Sequence, residues 1–142
     1  MKPVNLIAVF AENKLGQMSR ITQALVDEGV NIRWVTFATS ERFGVIKFLV
    51  DKTGPAFAAL QRLGWTVSLV EVLAVEVPDK PGGLHAVVDC LTRHSINVEN
   101  SSGFVANRRA VVLIEVNDIA PARRILAKAK FSLLSQEEML RL

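Results

Sequence analysis

The residues with the clearest chemical potential form a glycine loop, PDKPGGL, at residues 78–84. The loop stands between an apolar run and a stretch of helical spacing, where a strand would pass into a helix. Because glycine has no β-carbon, backbone N–H groups in such a loop can approach a ligand closely. The first turn of the helix adds partial positive charge, and together these features favour a carboxylate. A tight strand-to-helix turn would explain the same glycines, so both interpretations stay open.

A second set of reactive side chains lies on the predicted helix that follows the loop. His85 and Asp89 have the i, i+4 spacing of a possible metal edge, and Cys90 and His94 lie nearby. A solvated helix face explains the set better, and Cys90 has no histidine arranged as a base that would make it a nucleophile. No Ser, His, Asp arrangement and no phosphate-binding glycine signature occurs either. We therefore predict a protein that is not an enzyme, with no metal site and no cofactor.

Composition limits the partners of the chain. Its 142 residues, half of them hydrophobic, can bury a core in one ordinary domain or two small ones, which excludes disorder. A net charge of +3 is too weak to demand nucleic acid or an anionic membrane. The longest apolar run, residues 67–77, is interrupted by Glu71 and Glu76 and is too short for a membrane span. One cysteine and no signal peptide favour the cytoplasm.

The elements that position the glycine loop occur twice. A shift of 66 residues aligns the chain with itself without a gap, giving 13 identities over 67 aligned positions. Lys14 and Gly16 meet Lys80 and Gly82, which places a second copy of the loop at residues 13–18. Identity at one constant shift over this length indicates two copies of one structural unit. The group of His85, Asp89, Cys90 and His94 has no counterpart in the first copy, which further weakens the interpretation that it binds a metal ion.

Each copy has the same predicted order of elements. Apolar runs predict strands at 4–11 and 70–77, followed by helices at 17–28 and 83–94. Hairpins follow, with strands at 30–39 and 44–50 in the first copy and at 96–105 and 110–116 in the second. Pro55 and Pro121 open helices to about 63 and 129, and strands at 65–70 and 131–134 close the copies. Ser135 and Glu138 form a capping box for a short terminal helix.

This order predicts an α+β fold of two ferredoxin-like βαββαβ units in tandem, residues 1–69 and 70–142, the second with a short C-terminal helical tail. Each unit has an antiparallel sheet with both helices on one face. In several strands both alternating sets of residues are apolar, so the second face must also be covered. The other copy, another subunit or both could cover it.

The two loops and the strands that follow the first helices resemble those of the ACT domain, a small regulatory unit that binds amino acids. The matching segments are NKLGQM (13–18) with VNI (30–32), and DKPGGL (79–84) with INV (96–98). The second copy matches more closely, because the first has Leu15 where Pro81 stands. The resemblance covers nearly the whole chain as a tandem pair.

The resemblance implies a non-catalytic regulatory protein that binds a small amino acid at the two loops and at domain interfaces. It also implies a homodimer or higher homo-oligomer, a regulated partner protein, and no nucleic acid or membrane partner. Asn31 and Asn97, at the start of the second strand, are expected beside the loops, where an amide can bind both polar groups of a ligand. The predicted ligand-binding residues are Asn13, Leu15, Gly16, Gln17, Met18, Asn31 and Ile32 in the first copy, and Asp79, Pro81, Gly82, Gly83, Leu84, Asn97 and Val98 in the second.

Two alternatives remain. The RNA-recognition motif has the same βαββαβ order, and VFAEN (9–13) with ERFGVIKF (41–48) resembles its two strand segments. That motif stacks bases on exposed aromatic residues, however, and the second copy has none in AVVLIEV (110–116). We therefore expect Phe10, Phe43 and Phe48 to be core or interface residues. The second alternative is a purely structural or assembly module.

Overall fold

The protein is described by a computed structural model that covers residues 3–142. The observed elements, in chain order, are β1 (Val4–Glu12), α1 (Gln17–Asp27), β2 (Ile32–Ser40), β3 (Phe43–Val50), α2 (Thr53–Arg62), β4 (Thr66–Val77), α3 (Gly83–Arg93), β5 (Val98–Ala106), β6 (Arg109–Val116), α4 (Ile119–Lys128), β7 (Ser132–Leu133) and α5 (Gln136–Leu140). The predicted order of strands and helices is confirmed in both copies.

The chain divides into two compact units, an N-terminal unit of Asn5–Val70 and a C-terminal unit of Glu71–Leu142 together with Pro3 and Val4. The strand β4 carries the chain across this boundary. The sequence indicates that the closing strand at 65–70 runs into the opening strand at 70–77, and in the structure they form one continuous strand. The reason is that the segment VSLVEVLAVEV contains no glycine, proline or other turn residue, so nothing interrupts the extended backbone.

In the N-terminal unit the strands follow the order β2-β3-β1-β4, with β3 antiparallel to both of its neighbours. The helices α1 and α2 cover one face of this sheet. Their apolar sides bury Leu25 and Leu60 against Ile7 and Phe48 of the strands. This arrangement is the predicted ferredoxin-like unit with both helices on one face.

The C-terminal unit repeats the plan with the order β5-β6-β4-β7, and β4 is antiparallel to β6 and β7. Leu91 of α3 and Leu126 of α4 are fully buried against Val75 and Ile114. The short helix α5 follows, and its predicted capping box is present, because the Ser135 Oγ accepts a hydrogen bond from the Glu138 N–H at 3.2 Å.

The second face of the strands is partly buried as well. Leu6 and Leu49 are each only 1% exposed and Leu113 only 3%, although they alternate with the core residues that face the helices. The second face is therefore buried at these positions, as the apolar alternation predicts. Phe48 is a core residue, whereas Phe10 and Phe43 lie outside the core and expose 45% and 65% of their surface.

None of the helices formed by the described residues is long and apolar enough to cross a membrane.

Candidate functional site

The loops between the first strand and first helix of the two units have the same backbone hydrogen bonds. Lys14 N–H donates to the Glu12 carbonyl at 2.9 Å, and Lys80 N–H donates to the Pro78 carbonyl at 2.9 Å. Three residues further on, Gly83 N–H donates to the Lys80 carbonyl at 3.1 Å. In the first loop, Gln17 N–H donates to the Lys14 carbonyl at 3.3 Å. The sequence repeat is therefore also a repeat of local geometry.

The glycines at the start of the helices adopt a left-handed backbone. Gly16 has φ 87° and Gly82 has φ 92°, and each is the residue immediately before its helix. A β-carbon would be strained at this φ, which explains why both copies have glycine here. Neither helix start is capped by a side-chain hydrogen bond, and no atom lies within 4 Å of the place that a β-carbon would occupy. The surface beside each glycine is thus open, and the first-turn N–H groups have no side-chain acceptor.

Gly83 has a different role from its neighbour Gly82. It is buried, and a β-carbon at this position would lie 2.2 Å from the Pro78 carbonyl oxygen. The glycine is therefore required by packing of the loop against the helix start, independently of any ligand. Its counterpart, Gln17, is only partly buried, and its side-chain oxygen accepts a hydrogen bond from Arg20.

Asn13 connects the first loop to the tip of the β2–β3 hairpin. Its backbone N–H donates to the Arg42 carbonyl at 2.7 Å, and its Nδ2 donates to the Glu41 carbonyl at 3.0 Å. Glu41 has φ 52°, so the hairpin turn itself is tightly bent. Asp79 takes the equivalent place in the second loop and is exposed. The hairpin tip is thus a wall of the candidate site.

The expectation that Asn31 and Asn97 lie beside the loops of their own units is wrong. Ile32 pairs with Val50 at one end of β2, whereas the loop adjoins the other end, where Ser40 pairs with Phe43. Eight residues of strand separate the two ends, which corresponds to about 26 Å. Because α1 runs back along the sheet, the strand after it must begin at the far end.

The two asparagines immediately precede β2 and β5, and each backbone N–H is bound by the side chain of the residue that follows the neighbouring strand. Asn31 N–H donates to Asp51 Oδ1 at 2.9 Å, and Asn97 N–H donates to Asn117 Oδ1 at 3.2 Å.

The remaining predicted site residues divide into exposed and packed ones. Leu15 is fully exposed at the tip of the first loop, and Pro81 and Leu84 are exposed in the second. Met18, Ile32 and Val98 instead pack against the hydrophobic cores of their units. The exposed residues can reach a ligand, while the packed ones fix the ends of the helix and strand.

An open cleft of about 320 Å³ adjoins the first loop. We call it the aromatic cleft, because Phe10, Phe43 and Trp65 line it; its other lining residues are Ala11, Glu12, Gln17, Gly64 and Thr66. A neighbouring cleft of about 330 Å³ shares Glu12 and Phe43 and extends to Asn13, Lys14, Glu41 and Arg42 at the hairpin tip. The carboxylate of Glu12 is paired with Lys14 at 2.7 Å.

The C-terminal unit has a cleft of about 370 Å³ in the equivalent place, which we call the charged cleft. Its lining includes Asp79 of the loop and Arg108 of the hairpin tip, with Glu76, Val77, Pro78, Arg109, Ala110 and Ser132 completing it. Glu76 and Arg109 form a salt bridge with an Nε–Oε2 distance of 2.5 Å. Equivalent positions of the two units are thus aromatic in one and ionic in the other.

The sequence did not predict that the hairpin tip and the strand ends line the candidate site. Arg42 and Arg108 are identical under the repeat, and Phe10 with Phe43 had been assigned to a core or interface. The observed strand register places Phe43 opposite Glu12, one residue before the loop. The signal was therefore present in the strand order rather than in the motif.

Within the described part of the chain, no three His, Cys, Asp or Glu side chains are grouped so that they could hold a metal ion. Asp89 is paired with Arg93 at 2.9 Å on the same helix. The His94 Nδ1 lies 2.8 Å from the Cys90 carbonyl oxygen, and Cys90 packs partly against the core. These contacts are those of an ordinary helix face.

Comparison with known proteins gives a family match over almost the full length. A family model described as an ACT domain pair matches residues 2–142. No curated protein matches the chain.

Among solved structures, the protein BT0572 from Bacteroides thetaiotaomicron is 25% identical, with a TM-score of 0.91 over 99% of this chain and 97% of the other. The regulatory subunit of aspartate kinase from Thermus thermophilus, in its ligand-free form, is 18% identical, with a TM-score of 0.61 over 88% and 91% of the two chains. The corresponding subunit from Thermus flavus is 16% identical, with a TM-score of 0.58 over 91% and 94%. The likeness to these two subunits is one of fold.

Proposed function

Because this chain belongs to the ACT domain family, as a pair of such domains, we propose that it is a non-catalytic regulatory protein that binds a small amino acid. ACT domains are regulatory units rather than catalytic ones, and no grouping of residues described above supports an enzymatic reaction. The amino acid is held at the loops between the first strand and first helix of each unit.

The observation that carries the proposal is the pair of uncapped helix starts at Gly16 and Gly82. The N–H of the first helical residue in each copy donates to the loop carbonyl of Lys14 or Lys80, but no side chain caps the other N–H groups of the first turn. A carboxylate satisfies such N–H groups and also interacts favourably with the helix dipole. The clefts beside the loops provide room for the rest of a small zwitterion.

Regulation requires the ligand to favour one arrangement of the protein over another, because a ligand with equal affinity for both arrangements shifts nothing. Binding at interfaces between ACT domains, assembly into a homodimer or larger homo-oligomer, a regulated partner protein and a cytoplasmic location are parts of this proposal. The RNA-recognition alternative receives no support from the family match.

A thermal-shift screen of the twenty amino acids tests the proposal. At a concentration about 100 times its dissociation constant, a ligand should stabilise the protein by roughly 2.7 kcal/mol, because it binds only the folded state. We expect a raised Tm for one amino acid or a small chemical group of them.

Glycine variants then locate the effect. Gly16→Ala and Gly82→Ala each add a methyl group at an open helix start, so the ligand-induced shift should fall in the variant whose loop binds. Gly54→Ala is the matched control, because its β-carbon also meets open space but lies in the first turn of α2. A screen without any shift would contradict the proposal and favour a structural or assembly role.

A further inference from the structure

The aromatic cleft of the N-terminal unit is lined by two exposed phenylalanines, Phe10 and Phe43, at positions where the fold does not need an aromatic residue. Phe10 and Phe43 lie on the sheet face that does not face the helices, because Ile7 and Val9 occupy the helix-facing positions of β1. Phe10 pairs with Val45 and Phe43 pairs with Glu12, which makes the two rings diagonal neighbours. Diagonal neighbours on one face are within reach of long side chains.

The equivalent diagonal in the C-terminal unit shows that the strand geometry does not demand aromatic residues. The repeat replaces Phe10 with Glu76 and Phe43 with Arg109, and these two side chains meet in a salt bridge. Val45 and its counterpart Val111 are identical, and Glu76 pairs with Val111 as Phe10 does with Val45. The same backbone therefore supports either an apolar or an ionic wall.

From this difference we infer that the aromatic cleft binds the side chain of an apolar amino acid, and that the charged cleft does not. The inference rests on the proposed function, since it names the class of amino acid held at the first loop. A concave site of about 320 Å³ lined by two phenylalanines and a tryptophan is within the usual size range of small-molecule sites and offers flat apolar contact.

The polar groups of the cleft fit the remainder of such a ligand. Gln17 is the first residue of α1 and follows Gly16, so the uncapped helix start lies at the border of the cleft. The Glu12 carboxylate is paired with Lys14 at 2.7 Å, and both side chains are more than half exposed, so this pair stays solvated. The pair in the charged cleft, by contrast, is more buried. An apolar side chain can therefore occupy the aromatic cleft while the carboxylate reaches the helix start.

The charged cleft disfavours the same ligand. An apolar group placed over Glu76 and Arg109 would remove water from a partly exposed salt bridge without replacing the lost hydrogen bonds. Asp79 and Arg108 add further charged groups to its lining.

Calorimetric titration with L-phenylalanine and L-leucine, compared with L-aspartate, L-lysine and L-serine, tests the inference. We expect the two apolar amino acids to bind at least about tenfold more tightly than the three polar ones. The exchange Phe10→Glu with Phe43→Arg, which copies the charged cleft, should weaken L-phenylalanine binding at least about tenfold. Both positions are exposed, so thermal unfolding of the exchanged protein should match that of the parent protein.

Two controls separate the cleft from general effects. Phe37→Ala removes an aromatic ring of similar exposure, 49%, which does not line the cleft, and should leave the affinity unchanged. Glu76→Gln with Arg109→Gln alters only the C-terminal unit and should also leave L-phenylalanine affinity unchanged.

The possible failures are distinguishable. Binding that favours a polar amino acid, or that survives the Phe10 and Phe43 exchange, would overturn the inference and leave the proposed function standing. Loss of L-phenylalanine binding in the Glu76 and Arg109 variant would show that the ligand binds in the C-terminal unit, and would also overturn the inference. Absence of binding by every amino acid would overturn the inference and the proposed function together.

Discussion

Substitution of Gly83 by alanine should destabilise the C-terminal unit by about 3 kcal/mol, the upper end of the usual cost of overpacking. The added β-carbon would lie 2.2 Å from the Pro78 carbonyl oxygen, and backbone atoms must move to relieve that overlap. The start of α3 and the end of β4 are held by hydrogen bonds on either side of the contact, so the movement disturbs both elements. Urea unfolding followed by far-UV circular dichroism measures the loss.

Two matched substitutions isolate this effect. Gly82→Ala meets no atom within 4 Å, so we expect only the cost of a left-handed alanine, about 1–2 kcal/mol. Gln17→Ala alters the equivalent position of the N-terminal unit, where a β-carbon is already present, and should change stability by less than about 0.5 kcal/mol. A Gly83→Ala protein that is as stable as the Gly82→Ala protein would show that the loop is not packed as described.

Substitution of Phe48 by alanine should destabilise the N-terminal unit by about 3–5 kcal/mol. Phe48 is fully buried at the centre of the sheet, paired with Ile7 of β1 and Val35 of β2. Its removal leaves a cavity that both neighbouring strands border. Trp34 and Trp65, which are the two tryptophans of the chain, both lie in this unit, so tryptophan fluorescence in urea reports its unfolding.

The control for this prediction is Phe37→Ala on the adjacent strand. Phe37 pairs with Ile46 but remains 49% exposed, so its truncation removes little buried surface and should cost about 1 kcal/mol or less. Equal losses for the two phenylalanines would contradict the assignment of Phe48 to the core.

The fold followed from the sequence because the repeat supplied the same evidence twice. Where an apolar run in one copy could be a strand or a helix, the equivalent run 66 residues away decided between them. Pro55 and Pro121 marked the same helix start in both copies. The sequence also indicates that the closing strand of the first copy runs into the opening strand of the second, and β4 is one continuous strand. The repeat defines where one copy ends and the next begins, but an extended backbone needs no break at that point.

The site was predicted less completely, because motif reasoning does not include strand direction. Gly16 and Gly82 were identified correctly as helix-start residues, since their left-handed backbone is a local requirement. Asn31 and Asn97 were placed at the wrong end of the sheet, because their position depends on the path of the preceding helix. The packing role of Gly83 depends on the Pro78 carbonyl, and no local pattern reveals such a contact.

Composition and motifs also could not predict that Phe10 and Phe43 are exposed. Aromatic residues on strands are usually buried, and only the strand register shows that these two lie on the face away from the helices, beside the loop. The contrast with Glu76 and Arg109 becomes informative once the diagonal contact is known.

The central claim is that main-chain N–H groups at the helix starts hold the carboxylate of a free amino acid. An NMR titration of the ¹⁵N-labelled chain with the amino acid that most raises the Tm tests it most directly. The account predicts the largest shifts for the backbone N–H signals of Gly16 to Ser19, of Gly82 to His85, or of both groups, with saturation at a single dissociation constant for each loop. Saturable shifts that leave both helix starts unchanged would contradict it.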